Sequence, residues 1–425
     1  MKNILLACFY FPPYCHSGVQ RPLKFAKYLP LFGYRPIVLT CRNMPWDAYD
    51  YETYESEVVG KMTVYQLDAP RFDALNYPFF GRKLPDRLIL KLEKLLLEDR
   101  LDWTIGVCKQ AVRLIDKHRI HLVFTTGPPH SIHFLGYYLK RKTGIPWILD
   151  YRDPLIEHRN VSGLNGLDSL FHHVQNRVLF KAYQRLWLKA ADRVVAVTDA
   201  MTHELRSQHP EFGEKIQTVT NGFDENDFHN IYPTSGSGSK FTMLYTGRCT
   251  PPRSPMDFLA GLKKALAKDH VLKKELKILF IGSYSQEIVT ALTAPDLQGI
   301  VHYLGPASHY RAVAYQSRCD VSLLLMAPTD SLTVPGKLFE YMRAGRPILA
   351  LSPDGEARNI VERNGLGLTV EPSDHDGISR AILRLHEMWR NKTLAMFRPS
   401  RTVCRQYDRR NLTQRLSMLL DGCLQ

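Results

Sequence analysis

Apolar runs of strand length recur along the chain, separated by stretches long enough to hold a helix. NILLACF at 3–9, RPIVLT at 35–40, HLVFTT at 121–126, IPWILD at 145–150, RVVAVT at 193–198 and IQTVT at 216–220 are apolar with little alternation. A strand that alternates keeps one face in water, whereas one apolar throughout has both faces covered, as in a parallel sheet sandwiched by helices. Between the first two runs, VQRPLKFAKYLPLFG sets Leu23, Ala26 and Leu29 near i, i+3 spacing and ends on Gly33, which predicts a helix and its stop. A strand–helix–strand unit of this kind implies parallel strands and a right-handed crossover.

The pattern breaks at NIYPTSGSGSK (230–240), which is rich in Ser, Gly and Pro and reads as a linker or exposed loop. It then restarts with FTMLYTG at 241–247, LKILFIG at 276–282, IVHYLG at 300–305, DVSLLLM at 320–326, PILALS at 347–352 and GLGLTV at 365–370. The expected architecture is α/β, with two Rossmann-like, doubly wound domains facing across a cleft. The first domain is expected over 1–228, the linker over 229–240 and the second domain over 241–400. A C-terminal helix over 401–425 is expected to pack back on the first domain.

A length of 425 residues exceeds one ordinary core, in keeping with two domains. Hydrophobic residues at 44% and charged residues at 23% are globular proportions. No apolar run approaches the about 18–20 residues needed to span a bilayer. Pro12 and Pro13 interrupt the first apolar run, so it reads as a buried strand rather than a signal peptide. Eight cysteines without a CxxC pair are expected to be free thiols in a reducing, cytoplasmic compartment.

The formal charge of +14 suits a polyanionic partner and is spread along the chain. It carries no recognisable nucleic-acid module, so nucleic acid is not expected among the partners. The segment DRLILKLEKLLLED (86–99) places Leu88, Leu92, Leu95 and Leu96 on one helical face and Arg87, Lys91 and Lys94 on another. It reads either as a helix lying on an anionic membrane surface or as a packed helix with a solvated basic face.

Candidate chemistry collects at the ends of the predicted strands. VPGKLFEYMRAGRPILA (334–350) is not a P-loop, because Ser331 and Leu338 stand where a glycine and a hydroxyl residue are needed. Pro335 and Gly336 nevertheless open a helix after a strand and loop, so free amides and the positive end of the dipole point outward. Glu340 lies one turn in, where a carboxylate can accept two vicinal hydroxyls such as those of a ribose. The same residues would also serve a capped core helix with Lys337 and Glu340 in solvent.

In YTGRCTPPRSP (245–255), Arg248 and Arg253 could neutralise a diphosphate or be surface arginines. Gly18 would admit a phosphate close to the backbone or simply make a turn. TTGPPHSIH and DYRDP end two strands. They offer His130 and His133 as acid–base groups or donors, and a cluster of Asp150, Arg152 and Asp153 that would also serve as a structural Asp–Arg pair. TNGFDENDF (220–228) reads as a turn approaching a hinge. SDHDG (373–377) has the form of a metal-binding DxD, but it precedes a helical pattern, so an aspartate is expected to cap that helix and no metal is expected.

Taken together, FYFPPYCHSGVQRPLKFAKYL, TTGPPHS, WILDYRDP, NGFD and VPGKLFEYMRAGRPILA resemble glycosyltransferase family 4 of the GT-B fold, from residue 1 to about 390, with most likeness to polysaccharide-building members. The resemblance implies a nucleotide-diphosphate sugar donor, a glycan or lipid-linked acceptor, retention of anomeric configuration and no cofactor. It implies that Glu340 grips the ribose, that Thr333, Pro335, Gly336, Lys337 and Leu338 line the turn against the diphosphate, and that Arg248 and Arg253 stabilise the leaving phosphate. Gly18 matches the first-domain glycine beside the diphosphate. Asp153 falls where many relatives place a histidine near the transferred sugar, with His130 near it as a further catalytic candidate.

One departure stands out. The family often carries two glutamates eight positions apart, and the first would be Leu332. Two rival functions stand beside this one: a GT-B sugar-nucleotide epimerase, which shares the architecture, and a degenerate homologue that binds nucleotide-sugar without catalysis, which Leu332 keeps open. The basic charge also suits attachment to the inner face of the cell membrane, as a peripheral protein.

Overall fold

The structure is a computed structural model and describes residues 1–42, 49–68, 100–156, 175–229, 239–249 and 253–424. It divides into two compact units, Met1–Thr220 with Leu412–Gln425, and Asn221–Asn411.

The first unit holds seven parallel strands: β1 (Lys2–Cys8), β2 (Tyr34–Cys41), β3 (Thr63–Leu67), β4 (Leu122–Gly127), β5 (Trp147–Tyr151), β6 (Arg193–Ala196) and β7 (Ile216–Thr218). Their order is β3-β2-β1-β4-β5-β6-β7. The main helices of this unit are α1 (Gln20–Tyr28), α2 (Tyr51–Glu57), α3 (Leu101–His118), α4 (Ile132–Thr143), α5 (Lys181–Ala190) and α6 (Asp199–Gln208). The fully buried strands are the apolar runs of the sequence. β3 is absent from those runs because it is one of the sheet's two edge strands, half-buried along its length, and TVYQL carries no continuous apolar signal.

The second unit holds β8 (Phe241–Thr246), β9 (Leu276–Ile281), β10 (Val301–Tyr303), β11 (Val321–Leu325), β12 (Ile348–Leu351) and β13 (Gly367–Val370), all parallel, in the order β10-β9-β8-β11-β12-β13. Its helices are α7 (Met256–Lys268), α8 (His270–Glu275), α9 (Gln286–Leu292), α10 (His309–Arg318), α11 (Gly336–Ala344), α12 (Glu356–Arg363), α13 (His375–Arg390) and α14 (Arg401–Gln406). The central strands show why they do not alternate. Leu323, Leu325, Leu349 and Leu351 belong to one buried cluster, with Phe258, Ile378 and Ile382 of α7 and α13. Leu324, Ile348 and Ala350, pointing the other way, join a second cluster with Leu338, Phe339 and Met342 of α11. Successive side chains enter opposite cores, so both must be apolar.

The unit boundary falls at Thr220, earlier than residue 228. Phe223 and Phe228 are buried in the second unit's cluster with Leu338, and Glu225 and Asp227 bond Arg343 and His309 there. Arg401–Gln406 stays with the second unit. The return to the first unit begins at Leu412 inside the last helix, α15 (Arg409–Asp421). Leu412, Leu416 and Leu420, four residues apart on one helical face, are fully buried in the first unit's core. Tyr34 of β2 donates to Asp421 at 2.7 Å. Residues 86–99 and most of the 230–240 linker lie outside the described residues.

All eight cysteines are free. Among the described residues no helix is long and apolar enough to cross a membrane. Asp374 caps α13 by accepting from the Gly377 amide at 2.8 Å, and Asp376 pairs with Lys264 at 2.9 Å.

Candidate functional site

In each sheet the strand order reverses beside the first strand of its unit, between β1 and β4 and between β8 and β11. The carboxyl ends of strands at such a reversal leave a crevice for ligands. The sequence candidates fall at these two places, and each is described within its own unit.

In the first unit, Arg152 organises the loops. Its Nε donates to the Gly127 carbonyl at 2.8 Å, and its guanidinium also donates to the carbonyls of Gly18 and Pro128. One buried side chain thus satisfies the ends of two neighbouring strand loops. Gly18 is a glycine here because of Arg152: a Cβ would lie 2.7 Å from Nη1 and 3.0 Å from the Tyr10 ring. The Gly18 amide donates to His16 Nδ1 at 3.1 Å, and the His16 ring stacks on Tyr10 at 3.9 Å.

The structural Asp–Arg pair expected within DYRDP forms with a different arginine. Asp150 is held bidentately by Arg21 of α1, at 2.6 and 2.9 Å, and accepts from Thr126 Oγ1 at 2.6 Å. Arg21 could not be found from the motif, because the pair joins positions far apart in sequence.

His130 is buried and lies in the field of Asp153, which is itself exposed. Burial, reinforced by the Arg152 charge, lowers the His130 pKa to about 4, against an opposing push from Asp153. His130 is therefore a neutral imidazole near pH 7. His133 is fully buried beside Trp187 and Tyr151. Its Nδ1 meets Thr125 Oγ1 at 3.0 Å, and burial also lowers its pKa. It reads as a core histidine.

In the second unit, α11 begins at Gly336 with Pro335 as its extended N-cap (ψ 141°). No side chain caps this end and its first turn holds no acidic residue, so the dipole's positive end is left for an anion. A Cβ on Gly336 would meet nothing within 4 Å, so the space before the helix is open. The Thr333 hydroxyl is buried without a hydrogen-bond partner among the described residues. Leu338 is fully buried in the core and donates its amide to the Pro335 carbonyl at 3.0 Å. Leu332 is half-buried.

Glu340 is half-buried and accepts from Gln316 Nε2 at 2.9 Å. The same nitrogen lies 3.0 Å from Thr246 Oγ1, which in turn meets the Tyr341 hydroxyl at 3.1 Å. A buried polar chain from β8 and α10 therefore fixes the carboxylate. Arg253 is ion-paired with Asp330 at 2.6 Å, and Asp330 also accepts from the Ala327 amide at 2.9 Å. Arg248 is exposed in the same loop.

Lys337 does not run out to solvent. Its Nζ sits 3.9 Å from the centre of the Tyr245 ring, and a Cβ on Gly247 would lie 2.9 Å from it. The ammonium therefore rests on bare backbone at Gly247, whose φ of +113° also favours glycine. Gln316, Thr246, Tyr245 and Asp330 had no signal in the motifs, since each meets the site only through the fold.

Comparison with known proteins gives the family and the fold. A family model described as "Glycosyl transferase 4-like domain" matches residues 19–222, and one described as "Glycosyl transferases group 1" matches residues 240–388. No curated protein sequence matches. Among solved structures, a glycosyltransferase from Rickettsia africae is similar with a TM-score of 0.68 and 16% identity, covering 100% of this chain and 99% of that one. A sucrose-phosphate synthase from Thermosynechococcus elongatus gives 0.68 at 14% identity, covering 99% of each chain. An α,α-trehalose-phosphate synthase (UDP-forming) from Burkholderia xenovorans, in complex with glucose-6-phosphate, gives 0.66 at 12% identity, covering 99% of this chain and 100% of that one.

Proposed function

The chain belongs to the group 1 and 4-like glycosyltransferases of GT-B fold, and within that family we propose a retaining, metal-independent enzyme. It moves a sugar from a nucleotide-diphosphate donor to a glycan or lipid-linked acceptor in cell-surface polysaccharide synthesis. The observation that carries the donor assignment is the uncapped start of α11, with Lys337 and Arg253 beside it and Glu340 one turn in. The UDP-forming neighbour makes UDP the first nucleotide to try.

In this reading Glu340 accepts the ribose hydroxyls. The amides at Gly336 and Lys337 receive the diphosphate, and Arg248 and Arg253 meet the charge that grows on it as the glycosidic bond breaks. Fixed positive groups at that point act without metal and without reorganising. Arg152 shapes the Gly18 and Gly127 loops of the acceptor-side unit. His130, held neutral, serves in that unit as a hydrogen-bonding group, with Asp153 exposed nearby. The acceptor lies at the cytoplasmic membrane face. The neighbouring helices α3, α4 and α5 support that placement, exposing Lys109, Arg113, Arg141, Lys142 and Arg185 together with the apolar Ile105 and Leu186.

The test is a thermal-shift panel of nucleotide-diphosphate sugars, run with and without EDTA. A rise in Tm confined to one nucleotide type and unchanged by EDTA is expected. No shift with any of them would reject the donor site, and with it both this reading and the nucleotide-sugar-binding homologue that Leu332 raises.

A further inference from the structure

In the second unit the candidate site holds a lysine that no carboxylate pairs among the described residues. Arg253 has Asp330, but Lys337 has no carboxylate ion pair among the described residues. The groups that face Lys337 are Tyr245 from β8, Cys249 and Arg253 from the loop after β8, and Glu340 from its own helix. Tyr284, after β9, stands behind Tyr245 at 6.4 Å. Glu340 is already engaged by Gln316. Nζ is pinned between an aromatic face and the Gly247 backbone, at the positive end of α11. An empty site thus places a half-buried ammonium against a helix dipole and a guanidinium.

We propose that Lys337 is a third cation of the leaving-group site and that its ε-amine takes up a proton from solvent as the donor's diphosphate arrives. The inference rests on reading α11 as the donor clamp. It makes Lys337 a catalytic residue, fully charged when there is an anion to face and only partly charged otherwise. Burial, aided by Arg253, lowers the Lys337 pKa to about 7 in the empty site, against the pull of Cys249 and Glu340. A diphosphate within contact distance favours the charged form and raises that value again.

Calorimetric titration of UDP, ADP and GDP at pH 8, in two buffers of different ionisation enthalpy, reads the coupling directly. At that pH the terminal phosphate of the nucleotide is already ionised, since its second pKa is about 6. The wild type is expected to take up about 0.9 proton per nucleotide bound, because an amine of pKa about 7 is about one-tenth protonated there. Its affinity should weaken by up to about tenfold per pH unit above 7. Lys337→Arg, which stays charged, should bind without uptake and with a flat pH profile. Lys337→Met should bind about 10- to 100-fold more weakly, also without uptake. Uptake below about 0.2 proton in the wild type, or uptake that persists in Lys337→Arg, overturns this inference and leaves the donor site standing. Failure of all three nucleotides to bind overturns both.

Discussion

Glu340 offers the sharpest test of the donor clamp, because its surroundings allow the loss to be worked out. One oxygen of the carboxylate is occupied by Gln316 at 2.9 Å, and the other has no hydrogen bond among the described residues. Hydrogen bonds to a charged group contribute about 1.5–3 kcal/mol, and neutral ones about 0.5–1.5 kcal/mol. Glu340→Ala should therefore weaken nucleotide binding by about 10- to 150-fold, and Glu340→Gln by about 5- to 12-fold. Neither change should unfold the unit, since Gln316 Nε2 keeps Thr246 Oγ1 at 3.0 Å and is not left as a buried orphan. The assay is calorimetric titration of the nucleotide that the panel selects, with a thermal melt of each variant as control. A Glu340→Ala protein with an unchanged melt and a Kd within about threefold of wild type would refute the ribose assignment.

Other consequences can be measured separately. Arg253→Ala and Arg248→Ala should each lower turnover by about 10²–10³, measured as nucleotide release with acceptor present, and near-normal turnover in either would remove that residue from the leaving-group site. Arg21→Met strands Asp150, which is fully buried, and should cost about 3–5 kcal/mol in urea unfolding, whereas a loss under about 1 kcal/mol would show that the pair is dispensable. His130 adds a pH signature to the stability. With a folded value of about 4 below the ordinary 6.5, the unfolded chain binds more protons between those limits, so stability is complete above about pH 6.5 and falls as pH drops toward 4. His130→Gln should make that fall shallower in denaturant titrations, and an unchanged slope would contradict the assignment.

The two sheets were legible because parallel strands covered on both faces cannot hide their apolar residues. Ile4 to Cys8 and Leu323 to Leu325 are buried without a gap. β3 was not legible, since an edge strand needs no such run. The start of α11 could be read from Pro335, Gly336 and Glu340, whose meaning is local to one helix turn. Lys337 was read as a solvated side chain or a phosphate ligand, and the fold turned it inward over Tyr245. The Asp150 partner was sought next door and came from α1. Those contacts depend on which strands and helices become neighbours, and no local spacing encodes that choice. The unit boundary moved for a similar reason: Phe223 and Phe228 look like loop residues until α11 offers them a surface.

The burial of Leu412, Leu416 and Leu420 in the first unit has a consequence in time. The second unit is continuous in the chain, so it can complete its core while synthesis proceeds. The first unit is emitted early but lacks these three leucines until roughly 190 further residues have been made. At about 5–20 residues per second, that is a wait on the order of 10–40 s, during which part of its core faces water. Substitutions on the buried side of this last helix should therefore lower yield in the cell, through chaperone capture or aggregation of a waiting first unit, by more than the stability of the finished protein would suggest.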